Sequence, residues 1–223
     1  MILYHGSDKI IKSPAFGVGN PKNDYGMGFY CTEHLDLAKE WACSEGKDGF
    51  ANMYTLNLEG LKVLDLQSDD YHILNWLAIL LQNRTFVLKS GLPAEAHSYI
   101  LENFLPHYRD YDVIRGYRAD DSYFSFTQDF INNTISLRQL RKAMYLGKLG
   151  EQIVIKSEKA FSSLKFEKSI VAANEVYYPK KVARDRSARM AFRIDRITAH
   201  VIDDLFVIDI IRNGLKNDDP RLR

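Results

Sequence analysis

Hydrophobic residues recur along the chain with two different periods, which separate strand-like stretches from helical ones. Short β-prone runs predict strands at residues 1–5, 53–58, 62–66, 111–116, 151–155 and 165–172. Apolar residues three or four positions apart predict helices from residue 32 to about 44, within 69–105, from about 120 to 130, within 137–146 and beyond 175. Strands on both sides of a long helical stretch favour an α+β fold.

Residues with known end preferences mark several of these helices. Thr32 and Ser136 are predicted N-caps, because a side-chain oxygen satisfies one of the first free N–H groups of a helix. Pro93 suits the first turn of a helix, and Ser157 precedes a turn or short helix. Pro179 predicts a break in the last helical segment, since an interior proline removes a backbone hydrogen bond.

The length and composition indicate one folded domain. With 223 residues, 46% of them hydrophobic, the chain can bury a substantial core. The prediction is a single domain over residues 1–223, with a helical insertion at about 69–147 and a C-terminal helical segment at about 175–223. No internal repeat or low-complexity tract divides the sequence.

The overall charge gives no reason to expect a nucleic-acid or membrane partner. The 30 Lys and Arg residues nearly balance the 29 Asp and Glu residues, which leaves a formal charge of +1. A local exception is the segment 180–196, which carries seven basic residues and only two aspartates. It is interpreted either as a solvated helix face or as a patch that docks a polyanion such as a nucleic acid.

The start of the sequence and its two cysteines suggest an intracellular setting. A strand-like run follows Met1 at once, without a charged and apolar leader, which predicts a cytoplasmic location. Cys31 and Cys43 lie in no Cys-x-x-Cys or Cys/His cluster, so reduced thiols and no metal site are expected.

The stretch from Tyr25 to Trp41 carries the main candidate chemistry. It reads Tyr-Gly-Met-Gly-Phe-Tyr-Cys-Thr and then turns helical, with Trp41 eleven residues after Tyr30. A proline- and glycine-rich loop at 13–24 precedes it and could cover a pocket. Upstream, the first strand ends in the polar sequence His5-Gly6-Ser7.

These motifs resemble the diphtheria-toxin and poly-ADP-ribose-polymerase branch of the ADP-ribosyltransferases, the His-Tyr-Glu type. That branch combines a strand-end His-Gly, a Gly-Phe-Tyr motif, a second aromatic eleven residues later and a late strand that begins with Glu. The chain also resembles an uncharacterised bacterial family of unknown function assigned to this fold, through Tyr-Asp-Val-Ile-x-Gly at 111–116 and Ala-Asp-Asp at 119–121. The resemblance implies an ADP-ribosyltransferase-like split β-sheet core and NAD as co-substrate.

The resemblance also implies how NAD would be held. Tyr30 and Trp41 would form a slot for nicotinamide, because a flat cationic ring favours two aromatic faces. The Gly6 backbone would approach the carboxamide, and Gly28 would stand beside the slot, since neither carries a Cβ. His5 would bond a ribose hydroxyl.

A serine that relatives often place three residues before the second aromatic is Ala38 here. The carboxamide contact would therefore come from Gly6 alone or from Ser7.

The catalytic assignment falls on Glu151, Gln152, His5 and Tyr30. A carboxylate at Glu151 would stabilise the positive charge that develops on the ribose as the glycosidic bond breaks. Neighbouring strand residues point to opposite faces, so only one of Glu151 and Gln152 can face the site. If Gln152 does, a neutral amide replaces the carboxylate, which favours mono-transfer or a weakened enzyme over chain elongation.

Each candidate also has an ordinary structural explanation. His5 could bond a neighbouring loop, Tyr30 and Trp41 could be core aromatics, and Glu151 could be a solvated charge. Their joint occurrence in the right chain order favours the nucleotide site.

Two further acidic positions have competing interpretations. Asp120 and Asp121 could be catalytic carboxylates, but capping a helix explains them with fewer assumptions. Asp112 and Arg115 could reach a phosphate, although a structural pair between them is favoured.

The function expected from the sequence is NAD-dependent ADP-ribosyl transfer. The expected form is mono-transfer, carried out by a toxin of a toxin-antitoxin or phage-defence system. The acceptor would be a protein, a nucleic acid or a small molecule, and a small antitoxin-like protein would be a partner, with no membrane partner. A non-catalytic NAD- or nucleotide-binding or protein-interaction module of the same fold is the first alternative. A nucleic-acid-binding protein is the second.

Overall fold

Two β-sheets flanked by helices form in the described part of the chain. The computed structural model describes residues 1–88, 90–119, 121–146, 150–198 and 202–223, the side chains of 121–123 excepted. Its elements in chain order are β1 Ile2–Ser7, β2 Phe29–Cys31, α1 Leu35–Ala42, β3 Gly49–Leu56, β4 Val63–Asp65, α2 Ile73–Asn83, α3 Leu92–Phe104, β5 Val113–Tyr117, α4 Asp121–Ile131, α5 Leu137–Ala143, β6 Glu151–Ile155, α6 Glu158–Ser162, β7 Leu164–Ala172, α7 Asn174–Arg196, α8 Val207–Arg212 and a 3₁₀ turn Pro220–Leu222.

Within the described residues, a backbone bridge joins the two sheets. The first sheet has the strand order β1-β3-β7 and is antiparallel, and the second has the order β2-β6-β5-β4, with β4 and β5 parallel. The N–H of Tyr4 donates to the Thr32 carbonyl at 2.8 Å, and the N–H of Thr32 donates to the Tyr4 carbonyl at 2.9 Å. This bridge sets β1 beside β2, and the α+β class is confirmed.

The second sheet separates two apolar clusters. Ile153 and Ile155 of β6 face the first sheet, in a cluster that also contains Leu3, Phe29, Cys31, Tyr54, Leu56, Val113 and Ala160. Val154 faces the opposite way, toward a larger cluster built on α2 and its neighbours. Burying each large apolar side chain stabilises the fold by about 1.5–3 kcal/mol, so the two clusters fix which face of β6 each residue occupies.

Several predicted elements are confirmed. β6 has the predicted bounds, and Ser136 caps α5 by accepting a hydrogen bond from the Gln139 N–H at 3.2 Å. Pro93 lies in the first turn of α3, and the short helix α6 follows Ser157. The stretch 69–147 contains α2 to α5 and also β5, an interior strand of the second sheet.

Two helix predictions are wrong. α1 begins at Leu35 with His34 at its N-cap, because the backbone of Thr32 is engaged in the bridge to Tyr4. α7 continues through Pro179, which costs one backbone hydrogen bond near its N-terminus while the helix keeps its packing against α1. Asp120 lies outside the described residues, and α4 begins at Asp121.

No helix in the described ranges is long and apolar enough to cross a membrane.

Candidate functional site

A cleft of about 880 Å³ opens where the two sheets meet. The end of β1, β2 and the first part of β6 line its strand side. The loop before β2, α1, the middle of α7 and the segments that follow α2 and β5 line the rest. His5, Gly6, Gly28, Tyr30, Trp41 and Gln152 are all among the lining residues, whereas Ser7 and Glu151 are not.

His5 is held as a neutral imidazole. Its Nδ1 lies 2.7 Å from the Tyr30 carbonyl, which can only accept, so Nδ1 carries the proton. The ring stacks on Phe29 with a centroid distance of 4.2 Å. Burial lowers the pKa of His5, against the opposing effect of the Tyr30 carbonyl. Nε2 is therefore left as a hydrogen-bond acceptor in the cleft.

Close packing of α1 against β1 requires a glycine at position 6. A Cβ at this position would lie 2.0 Å from the Ala38 carbonyl oxygen and 2.9 Å from the Ala42 nitrogen, so α1 could not approach β1. The carboxamide contact predicted for Gly6 concerns its backbone, and the ladder leaves that backbone available. The N–H and C=O of Tyr4 bond to Thr32 and so point away from β3. Because these directions alternate from residue to residue along an antiparallel strand, the N–H and C=O of Gly6 also point away from β3.

Ser7 does not contribute to the cleft. Its Oγ donates to the Lys9 carbonyl at 2.5 Å and accepts from Nδ2 of Asn52 at 3.1 Å. Asn52 is fully buried and also donates to the Lys9 carbonyl. The hydroxyl thus stabilises the turn that follows β1, and the predicted ligand role for Ser7 has no geometric support.

Tyr30 presents its ring to the cleft and commits its hydroxyl to the neighbouring loop. The Oη donates to the Gly26 carbonyl and accepts from the Tyr25 N–H at 3.2 Å. Burial raises the pKa of Tyr30, so the hydroxyl stays protonated. Gly28 is explained by close packing, since a Cβ there would lie 2.6 Å from Cγ1 of Val154.

Trp41 lines the cleft and already stacks with a flat cation. The guanidinium carbon of Arg118 lies 3.9 Å from the centroid of the indole. Such stacking shows that this aromatic face accepts a planar positive group. Trp41 and Tyr30 border the same cleft, and the face of Trp41 is shared with Arg118.

Of the two neighbouring polar residues that begin β6, Gln152 faces the cleft. This residue is 7% exposed, and its Oε1 is buried without a hydrogen-bond partner. Glu151 points to the opposite face, where its Oε2 lies 2.5 Å from Nε of Arg115. Arg115 also pairs with Glu33. A buried polar atom left without a partner costs about 1–3 kcal/mol, and a ligand in the cleft could supply the partner that Gln152 lacks.

The pair suggested between Asp112 and Arg115 is absent. Asp112 instead accepts from the Ser157 hydroxyl at 2.5 Å and from the Lys62 N–H at 2.7 Å. These bonds hold the pKa of Asp112 below its usual value.

The sequence did not single out the buried acidic residues of the cleft. Glu40 is 2% exposed and makes a two-point ion pair with Arg184, at 2.8 Å for each contact. Asp24 is 5% exposed, pairs with Arg84 at 2.8 Å and accepts from the Ala119 N–H at 2.9 Å. Burial raises the pKa of Asp24, against the opposing effects of these two partners.

The cleft carries more positive than negative charge. Five basic residues line it against three acidic ones, namely Arg84, Arg118, Lys181, Arg184 and Arg189 against Asp24, Glu40 and Asp185. Three of the basic residues come from α7, within the basic segment noted in the sequence. That segment was the available signal for them, whereas nothing local connects Glu40 with a residue 144 positions away.

Neither a curated protein nor a solved structure matches the chain. Residues 1–166 match the model of a family described as a protein of unknown function, DUF3990, and this match ends before α7. Because the match covers more than half of the 223 residues, the chain belongs to the DUF3990 family.

Proposed function

We propose that the chain is an NAD-dependent ADP-ribosyltransferase that modifies an acceptor with a single ADP-ribose unit. The observation that carries this proposal is the unpartnered Oε1 of Gln152, buried in a cleft that also contains His5, Tyr30 and Trp41. The sequence resemblance predicts these residues in one site, and all four of them line the cleft.

The residues of the cleft fit a dinucleotide. Its volume of about 880 Å³ lies within the range of roughly 300–1,000 Å³ typical of small-molecule sites. The Gly6 N–H and C=O suit a carboxamide, and the face of Trp41 suits the cationic nicotinamide ring. Nicotinamide would replace the guanidinium of Arg118 on that face. The excess of basic residues suits the pyrophosphate.

The chain's own groups would orient the ribose but would only weakly stabilise the positive charge that develops on it during cleavage. Nε2 of His5 and Oε1 of Gln152 are acceptors for ribose hydroxyls. NAD supplies a glycosidic bond whose cleavage releases nicotinamide with the bonding electron pair, while an acceptor nucleophile bonds C1 and loses its proton. Because the amide of Gln152 is neutral, it stabilises the developing positive charge less than a carboxylate would. Single transfer is therefore favoured over chain elongation.

A second candidate function is NAD binding without turnover. It is favoured by the ion pair of Glu151 with Arg115, which leaves the strand side of the cleft without a carboxylate. The cleft's three carboxylates, from Asp24, Glu40 and Asp185, lie on its other sides.

Calorimetric NAD titration and a nicotinamide-release assay with cell lysate test both candidates. Gln152→Ala is expected to weaken NAD affinity at least tenfold, and the matched variant Glu151→Ala is expected to leave it within twofold. Unchanged affinity in folded Gln152→Ala would overturn the assignment of the site. Thermal unfolding of each variant controls for loss of the fold.

Turnover separates the transferase from the binding module. If the wild type releases nicotinamide and labels an acceptor, Gln152→Glu is expected to raise the rate about tenfold, since a carboxylate stabilises the ribose charge. NAD binding with no release by the wild type would favour the binding module.

The proposed biological role follows from the resemblance alone. A small mono-ADP-ribosyltransferase of this type would act in the cytoplasm as a toxin of a toxin-antitoxin or phage-defence system. Labelling of lysate fractions with radioactive NAD would identify whether protein or nucleic acid is the acceptor.

A further inference from the structure

The outer face of α7 is an exposed apolar stripe along a helix of 23 residues. Apolar residues recur on it every three, four or seven positions, namely Val176, Pro179, Ala183, Met190, Ile194 and Ile197 at the C-cap. Met190 is 64% exposed and Ile194 is 57% exposed. This spacing is that of a seam between paired helices, where apolar positions repeat every 3.5 residues. An isolated surface helix would instead carry polar residues there.

Basic residues flank this stripe. Arg186 and Arg193 lie along one edge and Lys180 along the other, and all three are exposed. The acidic residues of α7 beyond Glu175 are Asp185, which pairs with Arg189 on the same helix, and Asp195, which is buried. The outer face therefore combines an apolar centre with positive edges.

A shallow groove of about 520 Å³, lined by side chains of α7 alone, lies along one edge of the stripe. Tyr178, Pro179, Val182, Ala183, Arg186 and Met190 are among the residues that line it. Tyr178 and Val182 also line the cleft, so α7 separates the groove from the candidate site.

We propose that this outer face of α7 docks an acidic amphipathic helix of a partner protein. The apolar stripe would pair with the partner's apolar positions, and Glu or Asp at its flanking positions would meet Arg186, Arg193 and Lys180. A second copy of the chain would bring like charges together along the same seam, which disfavours self-association. A nucleic acid would leave the apolar stripe without a matching surface.

The helix that docks the partner is the helix that lines the cleft. Lys181, Arg184 and Arg189 lie on the inner face of α7, opposite the stripe. A partner seated on the groove would border the cleft through Tyr178 and Val182. Control of NAD access by this partner rests on the proposed function, whereas the docking itself does not.

The test uses a fluorescein-labelled 21-residue peptide with Leu at heptad positions a and d and Glu at e and g. Fluorescence anisotropy with the full chain, without NAD, is expected to show binding at least tenfold tighter than for a scrambled peptide. Met190→Asp and Ile194→Asp are each expected to weaken binding at least tenfold. Val87→Asp, at an 84% exposed site in the loop after α2, is the matched control and is expected to leave it unchanged.

Charge reversal separates specific docking from apolar adhesion. In the double variant Arg186→Glu/Arg193→Glu, preference is expected to switch to a peptide with Lys in place of Glu. Peptide binding that survives Met190→Asp and Ile194→Asp would overturn the proposal. If no peptide bound, two other results would also overturn the proposal. One is a dimer of the chain that Ile194→Asp disrupts, and the other is binding of an RNA oligonucleotide that depends on Arg186 and Arg193.

Control of the cleft has a readout of its own. NAD titration with and without saturating peptide is expected to show at least a threefold loss of affinity with peptide. Failure of NAD to bind at all would contradict the proposed function and leave the docking result standing.

Discussion

The two sides of the cleft are built on different physical principles. The strand side offers neutral groups, namely Nε2 of His5, the Gly6 backbone and Oε1 of Gln152, all fixed by sheet register. The α7 side offers charges held by ion pairs, Arg184 with Glu40 and Arg189 with Asp185. The comparison teaches that the sheet presents neutral hydrogen-bonding groups to the cleft, while α7 supplies positive charge and is held by the Arg184–Glu40 ion pair as well as by the buried Ala188 and Phe192.

The largest expected effect comes from breaking the attachment of α7. Arg184→Met leaves Glu40, whose side chain is 3% exposed, without its two-point partner, and is expected to lower the free energy of unfolding by about 4 kcal/mol. The double variant Glu40→Gln/Arg184→Met should recover about half of this loss, because it removes the uncompensated charge. Urea unfolding measures both.

A matched control lies on the same helix. Arg189 and Asp185 form an ion pair whose side chains are 42% and 41% exposed, so Arg189→Met is expected to cost less than about 1 kcal/mol. Equal losses in Arg184→Met and Arg189→Met would contradict the view that burial of Glu40 makes its pair the anchor.

The strand side is expected to be sensitive to steric change. Gly6→Ala places a Cβ 2.0 Å from the Ala38 carbonyl oxygen, where no side-chain rotation relieves the clash. The expected loss of stability is about 2–3 kcal/mol, again measured by urea unfolding.

Gly46→Ala serves as the control for Gly6→Ala. No atom lies within 4 Å of the added methyl group at Gly46, and only the backbone angle φ of +70° is strained. A loss of about 1 kcal/mol is expected there. A Gly6→Ala variant no less stable than Gly46→Ala would show that α1 can move away from β1.

The smallest expected effect is the pH dependence of stability that His5 contributes on the strand side. Burial lowers the pKa of His5 from its unfolded value of 6.5, so below pH 6.5 the unfolded chain binds a proton that the folded chain does not. Stability contributed by the neutral ring is therefore complete above pH 6.5 and is lost as pH falls through the folded pKa.

The measurement is the difference in unfolding free energy between the wild type and His5→Gln at pH 7.5 and pH 5.5. The wild type is expected to lose more stability than the variant over this interval. Parallel losses in both proteins would show that His5 titrates normally in the folded state.

Much of the strand framework could be predicted from local sequence. The bounds of β6 followed from an apolar run after two polar residues, and the cap of α5 from Ser136. The start of α1 could not be predicted from Thr32, because a backbone bridge to Tyr4 outweighs capping preference. Pro179 was misjudged for a similar reason, since tertiary packing maintains α7 through it.

Some features of the candidate site could likewise be predicted from the sequence, whereas others could not. The aromatic spacing of Tyr30 and Trp41 and the strand-end His5 were visible in the sequence, and all three line one cleft. The cation stacked on Trp41 and the anchor between Glu40 and Arg184 were not visible, since they join segments far apart in the chain.

The sequence by itself determined that only one of Glu151 and Gln152 could face the site, because strand side chains alternate with a period of two residues. Only the tertiary structure decided which one. The register that pairs Gln152 with Gly116 and Val154 with Tyr30 turns Gln152 toward the cleft and leaves Glu151 with Arg115. Alternation is a local property of the backbone, whereas the face that becomes buried depends on packing between distant segments.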